Sequence, residues 1–411
     1  MTYPDNQRLP WRVVTPAAWP SAPADMSVTT YNEIDECPRR WALGAADYPG
    51  VWGGRGYPPR LQVPALTGSV VHLALEIITK QLARAGCPSP NDPSATQVMK
   101  DLGGYTSVIN KCIDRVLERF ADNPRALPVL EYARRTLRGQ VPALRTRAQA
   151  ILARLRLPAI GRAHSPNLSQ PSQTARRAPL SAGAFPEIEL RARRIGWKGK
   201  ADLLVVSDDA CEITDFKTGS PDEAHRFQVR VYALLWALDE ELNPSGRAVR
   251  RLALAYEAGD VEVEPPTAQE LDALTEDLVE RRTAAEASLS ARPPAARPTA
   301  ENCRYCGVRQ LCDDYWSALP RTRDEDPAAR FGDVELKIVR RHGPTSWDAI
   351  VERARSVPTG TPALVRLQHL VELTAGEHLR VLEGAIVLGP AEDGARVIVT
   401  LGAFSEMYAL T

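Results

Sequence analysis

The sequence predicts an α/β core followed by a smaller β-rich domain, and three observations carry that expectation. Between Gly199 and Gly219 the chain reads GKADLLVVSDDACEITDFKTG, two short apolar runs meeting across a polar SDDA turn, as in a β-hairpin. Apolar-periodic segments of helical length precede and follow this hairpin. From about Phe331 the texture changes to strand-like runs separated by turn residues.

The chain has 411 residues, enough for two or three domains at ~100–200 residues each. The expected division is 1–320 and 331–411. A composition of 44% hydrophobic and 25% charged residues is that of a globular protein. Lysine plus arginine equals aspartate plus glutamate, 51 against 51, so any basic surface must be local. The opening MTYPDNQRLPWRVVTP lacks the apolar core of a signal peptide, and no apolar run approaches the ~20 residues of a membrane span. A cytoplasmic protein without a membrane partner is the expectation. The seven cysteines are odd in number and unevenly spread, which in that setting points to metal or redox chemistry rather than disulfides. No GxxxxGK[ST] phosphate loop is present, so ATP hydrolysis of that type is not expected.

Residues 1–60 are rich in proline, aromatics and glycine, with a helical patch at Thr30–Leu43. A Leu/Val/Ile-rich helix follows over Gly68–Arg84. An inserted helical region occupies about 105–160, broken near Pro124, Pro128 and Pro142. From Arg115 to Arg162 it holds eleven arginines against Glu118, Asp122 and Glu131, a local excess of eight positive charges. A solvated helix face and an electrostatic track for a phosphate backbone both fit, with Arg134, Arg135, Arg138 and Arg145 the candidate contacts. The Ser/Pro/Gln-rich stretch His164–Phe185 reads as a loop. Strands are expected at Glu187–Arg194 and Arg251–Glu257, and helices at Arg226–Leu238 and Thr267–Ser288. The Pro/Ala linker ARPPAARPTAE then leads to a cysteine cluster. The last runs, VELKIVRR, ALVRLQHLVEL, HLRVLEGAIVLG and ARVIVTLGAF, with PAEDG as a turn, suit a small barrel, one candidate being the oligonucleotide-binding kind. Such a domain could bind single strands, with Phe404 and Tyr408 as stacking candidates, bind a partner protein, or serve only as packing.

The chemistry concentrates in the hairpin. Strand side chains alternate with period two, so Asp215 and Lys217 point to one side. Together with Asp202 on the facing strand they suit metal-assisted cleavage of a phosphodiester. Upstream, GSVVHLALE places His72 and Glu76 four apart on one helical face. Downstream, FQVRVYALLWA does the same for Gln228 and Tyr232. One at a time, these residues have plainer readings: a packed histidine, a surface ion pair, a core tyrosine.

Taken in order, the glycine-led His motif, the GxxD strand, the DxK strand and the QxxxY helix resemble a RecB-type nuclease of the PD-(D/E)XK superfamily over roughly residues 30–316. The resemblance implies a restriction-endonuclease-like mixed sheet flanked by helices, with the active site where the central hairpin splits. It implies Asp202, Asp215 and the backbone carbonyl of Phe216 as ligands of Mg²⁺ or Mn²⁺. His72 would complete the shell and tilt it toward Mn²⁺. Lys217 would position or polarise the attacking water. Gln228 and Tyr232 would hold the scissile strand or orient Lys217, while Glu76 would assist or sit at the rim. The implied activity is hydrolysis of DNA, with single-stranded ends as the favoured substrate, leaving a 5′-phosphate and a 3′-hydroxyl. A helicase or another repair or defence protein would act in trans. The competing expectation is a non-catalytic nucleic-acid-binding scaffold.

Cys303, Cys306 and Cys312, in ENCRYCGVRQLCDDYW, leave a tetrahedral site one ligand short. Cys37, in YNEIDECPRRWAL, is the best candidate for the fourth. One cysteine before the nuclease core and three after it resembles the arrangement in a subset of RecB-type nucleases, including the AddB subunit and CRISPR-associated nucleases. The resemblance implies a [4Fe-4S] cluster stapling the two ends of the domain, with Zn²⁺ the alternative. Cys87, Cys112 and Cys211 lack such spacing and read as buried apolar residues. Arg39, Arg40 and Arg304 lie near the cysteines in sequence and could face DNA.

Overall fold

The structure is a computed structural model that describes residues 11–158, 177–321, 331–355, 357–389 and 396–410. Most of the expected Ser/Pro/Gln-rich loop, Arg162 and the PAEDG turn lie outside the described residues.

The chain opens with a short strand, β1 (Trp11–Arg12), and two helices, α1 (Val28–Glu36) and α2 (Pro38–Ala45). The sequence reads these helices as one patch. They divide at Cys37, whose backbone is extended (φ −159°, ψ 100°) because it precedes Pro38, and Pro38 then opens α2. A helical block follows: α3 (Val63–Arg84), α4 (Ala95–Asp101), α5 (Gly104–Glu118), α6 (Leu130–Gly139) and α7 (Val141–Leu152). Next come β2 (Gly183–Ala192), β3 (Trp197–Val206), β4 (Ala210–Phe216), α8 (Glu223–Leu238), β5 (Ala248–Ala255), β6 (Asp260–Val263) and α9 (Ala268–Ser288). Asp222 caps α8 by accepting from Ala224 N at 2.9 Å, and Thr267 with Glu270 forms a capping box on α9.

Strands β2-β3-β4-β5-β6 form one mixed sheet in that order, with β4–β5 parallel and the other pairs antiparallel. One face packs on the helical block, where Leu203, Phe216 and Ala255 meet Val70, Ala74 and Ile78 of α3. The other carries α8, α9 and α1, with Leu204, Ile213 and Leu252 against Val229, Leu235, Leu278 and Ile34. Among the described helices α3 alone has the length and apolarity of a membrane span. Here it is a core helix, with Val70, Val71, Ala74, Leu75 and Ile78 all fully buried.

After α10 (Ala300–Arg304) and α11 (Asp313–Ala318), the chain forms β7 (Phe331–Gly343), β8 (Ser346–Ala354), β9 (Pro362–Arg366), β10 (His378–Leu388), β11 (Val397–Thr400) and β12 (Glu406–Ala409). The order β7-β8-β9-β11-β10 closes on itself through β10–β7, with β9–β11 parallel. This is a five-stranded barrel of the kind expected, around Val334, Leu336, Val351, Val365 and Val399. Strand β12 adds to β10, and β1 adds in parallel to β12, so the chain's first described residues join its last. The sequence does not mark β8 or β12, and ALVRLQHLVEL is a strand only over Pro362–Arg366.

The barrel seats on the cysteine-bearing segment. Leu382 and Tyr408 share an apolar cluster with Tyr48, Tyr57, Cys306, Cys312 and Trp316. Buried ion pairs ring that cluster. Arg309 Nε meets Asp333 Oδ2 at 2.6 Å, Arg125 is bidentate to Glu406 at 2.7 and 2.8 Å, and Arg380 reaches Glu335 at 3.0 Å. Burial alone would raise the Asp333 carboxyl, but the Arg309 charge overrides it and holds the group below its ordinary value. Arg125 does the same for Glu406.

Candidate active site and cysteine pocket

The β3–β4 ladder runs from Val206↔Cys211 to Leu203↔Thr214 and stops there, while β4 continues beside β5 as far as Phe216↔Ala255. The two strands therefore part at Asp202 and Asp215. The Phe216 N–H, without a ladder partner on β3, donates to Asp202 Oδ2 at 2.6 Å. The Phe216 ring is anchored in the core under α3, which fixes this peptide. Lys217 N donates to Ala255 O at 2.9 Å.

The side chains then follow from element geometry. Asp215 is 3% exposed, and its Oδ2 lies 2.6 Å from Lys217 Nζ but accepts no directed hydrogen bond among the described residues. Burial, reinforced by the neighbouring Asp202 charge, raises its carboxyl to about 7 against the pull of Lys217 and His72. Lys217 Nζ also donates to Gln228 Oε1 at 2.6 Å, and Gln228 Nε2 donates to Tyr232 OH at 2.7 Å. The i,i+4 spacing on α8 thus supports the lysine. His72 Nδ1 stands 3.7 Å from Asp202 Oδ2, a charge contact beyond hydrogen-bond length. Burial would lower the imidazole, but Asp202, with Asp215 beyond it, outweighs burial and raises it.

Gly199 supplies the space. A Cβ there would lie 2.6 Å from Tyr232 Cε1 and 2.9 Å from Leu235 Cδ1, so the GxxD glycine lets α8 lie close on β3. Tyr232 is 5% exposed and wedged there; it supports Gln228 rather than presenting a face to a nucleic-acid strand. Glu76 pairs with Lys80 at 2.5 Å and sits at the rim.

Two features of the site escape sequence reading. Glu187 stands opposite Asp202 in the β2–β3 register and has φ +58°, the left-handed region uncommon for a residue with a side chain. Both strands switch faces at this pair. Phe185 and Leu190 lie on the same side of the sheet, as do Ala201 and Leu204, so simple alternation fails there. Glu187 pairs with Lys200, and burial raises its carboxyl against that partner. The second feature is a histidine–tyrosine pair, with His225 Nδ1 2.9 Å from Tyr256 OH at the end of β5. No sequence signal links residues so far apart.

A family model of the PD-(D/E)XK nuclease superfamily matches residues 25–313. The chain belongs to that superfamily. A search of the curated proteins returned no match. Membership in the PD-(D/E)XK superfamily is consistent with phosphodiester hydrolysis and with catalysis assisted by a divalent metal ion.

Beyond the PD-(D/E)XK core motifs, Cys37, Cys303, Cys306 and Cys312 line one cavity of about 310 Å³, counting its mouth, together with Arg39, Arg40 and Arg309. All four are free thiols, and Arg297 N approaches Cys37 Sγ at 3.5 Å. Burial pushes Cys303 up to about 12, with the other three cysteines adding to it, and Cys312 up to about 11. As placed, no three His, Cys, Asp or Glu side chains among the described residues converge on a single metal ion, here or at the hairpin. Cys87, Cys112 and Cys211 are buried in the apolar cores, as their spacing suggested.

Several arginines are more engaged than the sequence excess implies. Arg134 pairs with Glu131 at 2.8 Å, Arg138 with Asp114 at 3.1 Å, Arg147 with Glu257 at 2.9 Å and Arg154 with Asp260 at 2.9 Å. Among the described residues Arg145 reaches only Thr106 Oγ1, at 3.4 Å, and Arg135 lies over the Tyr132 ring at 5.6 Å. Two of the four candidate contacts, Arg134 and Arg138, are therefore paired with acids, and Arg147 and Arg154 are claimed by Glu257 and Asp260 from outside the arginine-rich stretch. Near the pocket, Arg39 holds Pro294 O at 2.6 Å, Arg40 pairs with Glu36 at 2.5 Å, and Arg304 lies over Tyr305 at 5.3 Å.

Proposed function

We propose that the chain is a metal-dependent deoxyribonuclease acting on single-stranded ends. The observation that carries the reading is the splayed hairpin. It places two carboxylates and a lysine fixed by Gln228 at one point of a PD-(D/E)XK fold. The donor set fits a hard divalent cation. Two carboxylates, one with a buried oxygen lacking a directed hydrogen bond among the described residues, and an adjacent imidazole suit Mg²⁺ or Mn²⁺. Asp202, Asp215, the Phe216 carbonyl and His72 would hold it. When bound, such an ion supplies Lewis acidity and an acidified water. Lys217 offers its ammonium to the attacking water and to charge building on the phosphate oxygens. Gln228, backed by Tyr232, keeps that ammonium from folding away. The preference for single strands rests on the family resemblance and on arginines without an acidic partner among the described residues, such as Arg135 and Arg145.

The four cysteines line one cavity, and the chain brings only one CxxC pair where zinc ribbons bring two, which supports a [4Fe-4S] cluster over zinc. Such a group would tie the α1–α2 junction to the segment after α9. We further propose a nuclease unit over 1–320, a barrel over 331–411, a cytoplasmic location, and a helicase or other repair or defence protein as partner.

The test is cleavage of end-labelled single-stranded DNA with Mg²⁺ or Mn²⁺. Asp215→Ala and Lys217→Ala should each abolish it. Equal degradation by wild type and variants would sink the assignment. Binding without metal-dependent cutting would favour a scaffold.

A further inference from the structure

Helix α8 carries more than the pair that supports the lysine. His225 precedes Gln228 by three residues and Tyr232 by seven, which places all three on one helical face. His225 is half-buried, and its position one turn ahead of Gln228 puts it beside the Lys217 ammonium. Its partner Tyr256 directly follows β5, whose last residue, Ala255, accepts the Lys217 N–H. The pair therefore stands at the carboxyl ends of β4 and β5, on the lysine's side of the site.

The hydrogen bonds set the direction of the imidazole. Tyr256 is 4% exposed, and its hydroxyl oxygen accepts from the Asp222 amide at the start of α8. The hydroxyl proton is then free to go to His225 Nδ1, 2.9 Å away. With Nδ1 accepting, a neutral imidazole carries its proton on Nε2. Burial and the Lys217 charge lower the histidine, which favours that neutral form. Among the described residues Nε2 has no hydrogen-bond partner. The result is an N–H donor about one turn ahead of Gln228 on the same face of α8 that no described residue receives.

We propose that His225 is a substrate-binding residue whose Nε2–H donates to a phosphate oxygen next to the scissile phosphate, with Tyr256 as the residue that positions it. This rests on the nuclease reading above.

The experiment compares wild type, His225→Ala, His225→Gln and Tyr256→Phe on a labelled single-stranded oligonucleotide. Binding is read by anisotropy with Ca²⁺ and cleavage with Mn²⁺, after melting curves confirm folding. His225→Ala should weaken binding and raise KM about tenfold, the scale of one hydrogen bond to a charged group, while kcat and the Mn²⁺ concentration dependence stay near wild type. His225→Gln, whose amide N–H can stand in for Nε2–H, should recover most of the loss. Tyr256→Phe should raise KM by a smaller factor, because the ring stays and only the tautomer is released. Unchanged binding and KM in a folded His225→Ala protein, beside an inactive Asp215→Ala control, would overturn the inference and leave the nuclease intact. A wild type that neither binds nor cuts single strands would overturn both.

Discussion

Gly199→Ala is the most informative single change outside the charged residues of the site. The added Cβ would meet Tyr232 Cε1 at 2.6 Å and Leu235 Cδ1 at 2.9 Å, against an ordinary contact of 3.4 Å or more. Tyr232 would have to retreat by about 0.8 Å or α8 would lift off β3, an overpacking that costs about 1–3 kcal/mol. Tyr232 OH holds Gln228 at 2.7 Å and Gln228 holds Lys217 at 2.6 Å, so the displacement passes along two short bonds to the amine. A misplacement near 1 Å at a reacting group costs roughly a hundredfold in rate. The expected variant is folded, melts a few degrees lower, and loses about one to two orders of magnitude in kcat with a smaller change in oligonucleotide affinity. The assay is steady-state cleavage with Mn²⁺ beside a thermal melt. Adding Tyr232→Leu makes room for the methyl, so the double variant should be no worse than Tyr232→Leu alone, a non-additivity expected of contacting residues. A kcat within twofold of wild type in Gly199→Ala, or additive losses in the double variant, would refute the proposed line of support from β3 to Lys217.

Arg309→Met should cost about 3–5 kcal/mol, because it strands the buried Asp333 carboxylate; calorimetry checks it. Asp333 and Glu406 are held below their ordinary values when folded, so their stabilisation is complete above the unfolded carboxyl range of about 4. It is lost as pH falls through their lower folded values. Melting temperature should therefore drop steeply below about pH 4, and less steeply in Asp333→Asn. Cys306→Ser should remove the brown colour and the absorbance near ~400 nm expected of thiolate-bound iron in an anaerobic preparation. A colourless wild type containing zinc would favour the other metal. His72→Asn should raise the Mn²⁺ requirement more than the Mg²⁺ requirement, measured by metal titration of cleavage, since imidazole is the softer ligand.

Much of the site was legible because its geometry is local. Period-two alternation put Asp215 and Lys217 together, and they lie 2.6 Å apart. Helical spacing put Gln228 and Tyr232 together, and they are hydrogen-bonded. The sequence reads across the break at Cys37 as one helical patch, although Pro38 alone accounts for it. The barrel was legible as a β-rich change of texture, but β8 and β12 were not, because closure recruits segments whose own patterns are weak.

The linear order of residues determined the hairpin, the helices around it and the local pairs, all consequences of backbone periodicity acting over a few residues, and it singled out the four cysteines that line one cavity. Only the tertiary structure decided the contacts that depend on where the sheet splits and how the layers stack. There Asp202 takes the Phe216 amide, Glu187 comes opposite Asp202 where both strands switch faces, and Tyr256 turns His225. The same holds for the acids that claim Arg138, Arg147 and Arg154. Charge counted along a chain cannot anticipate partners, because an ion pair forms between groups that burial and packing bring together, whatever their separation in sequence.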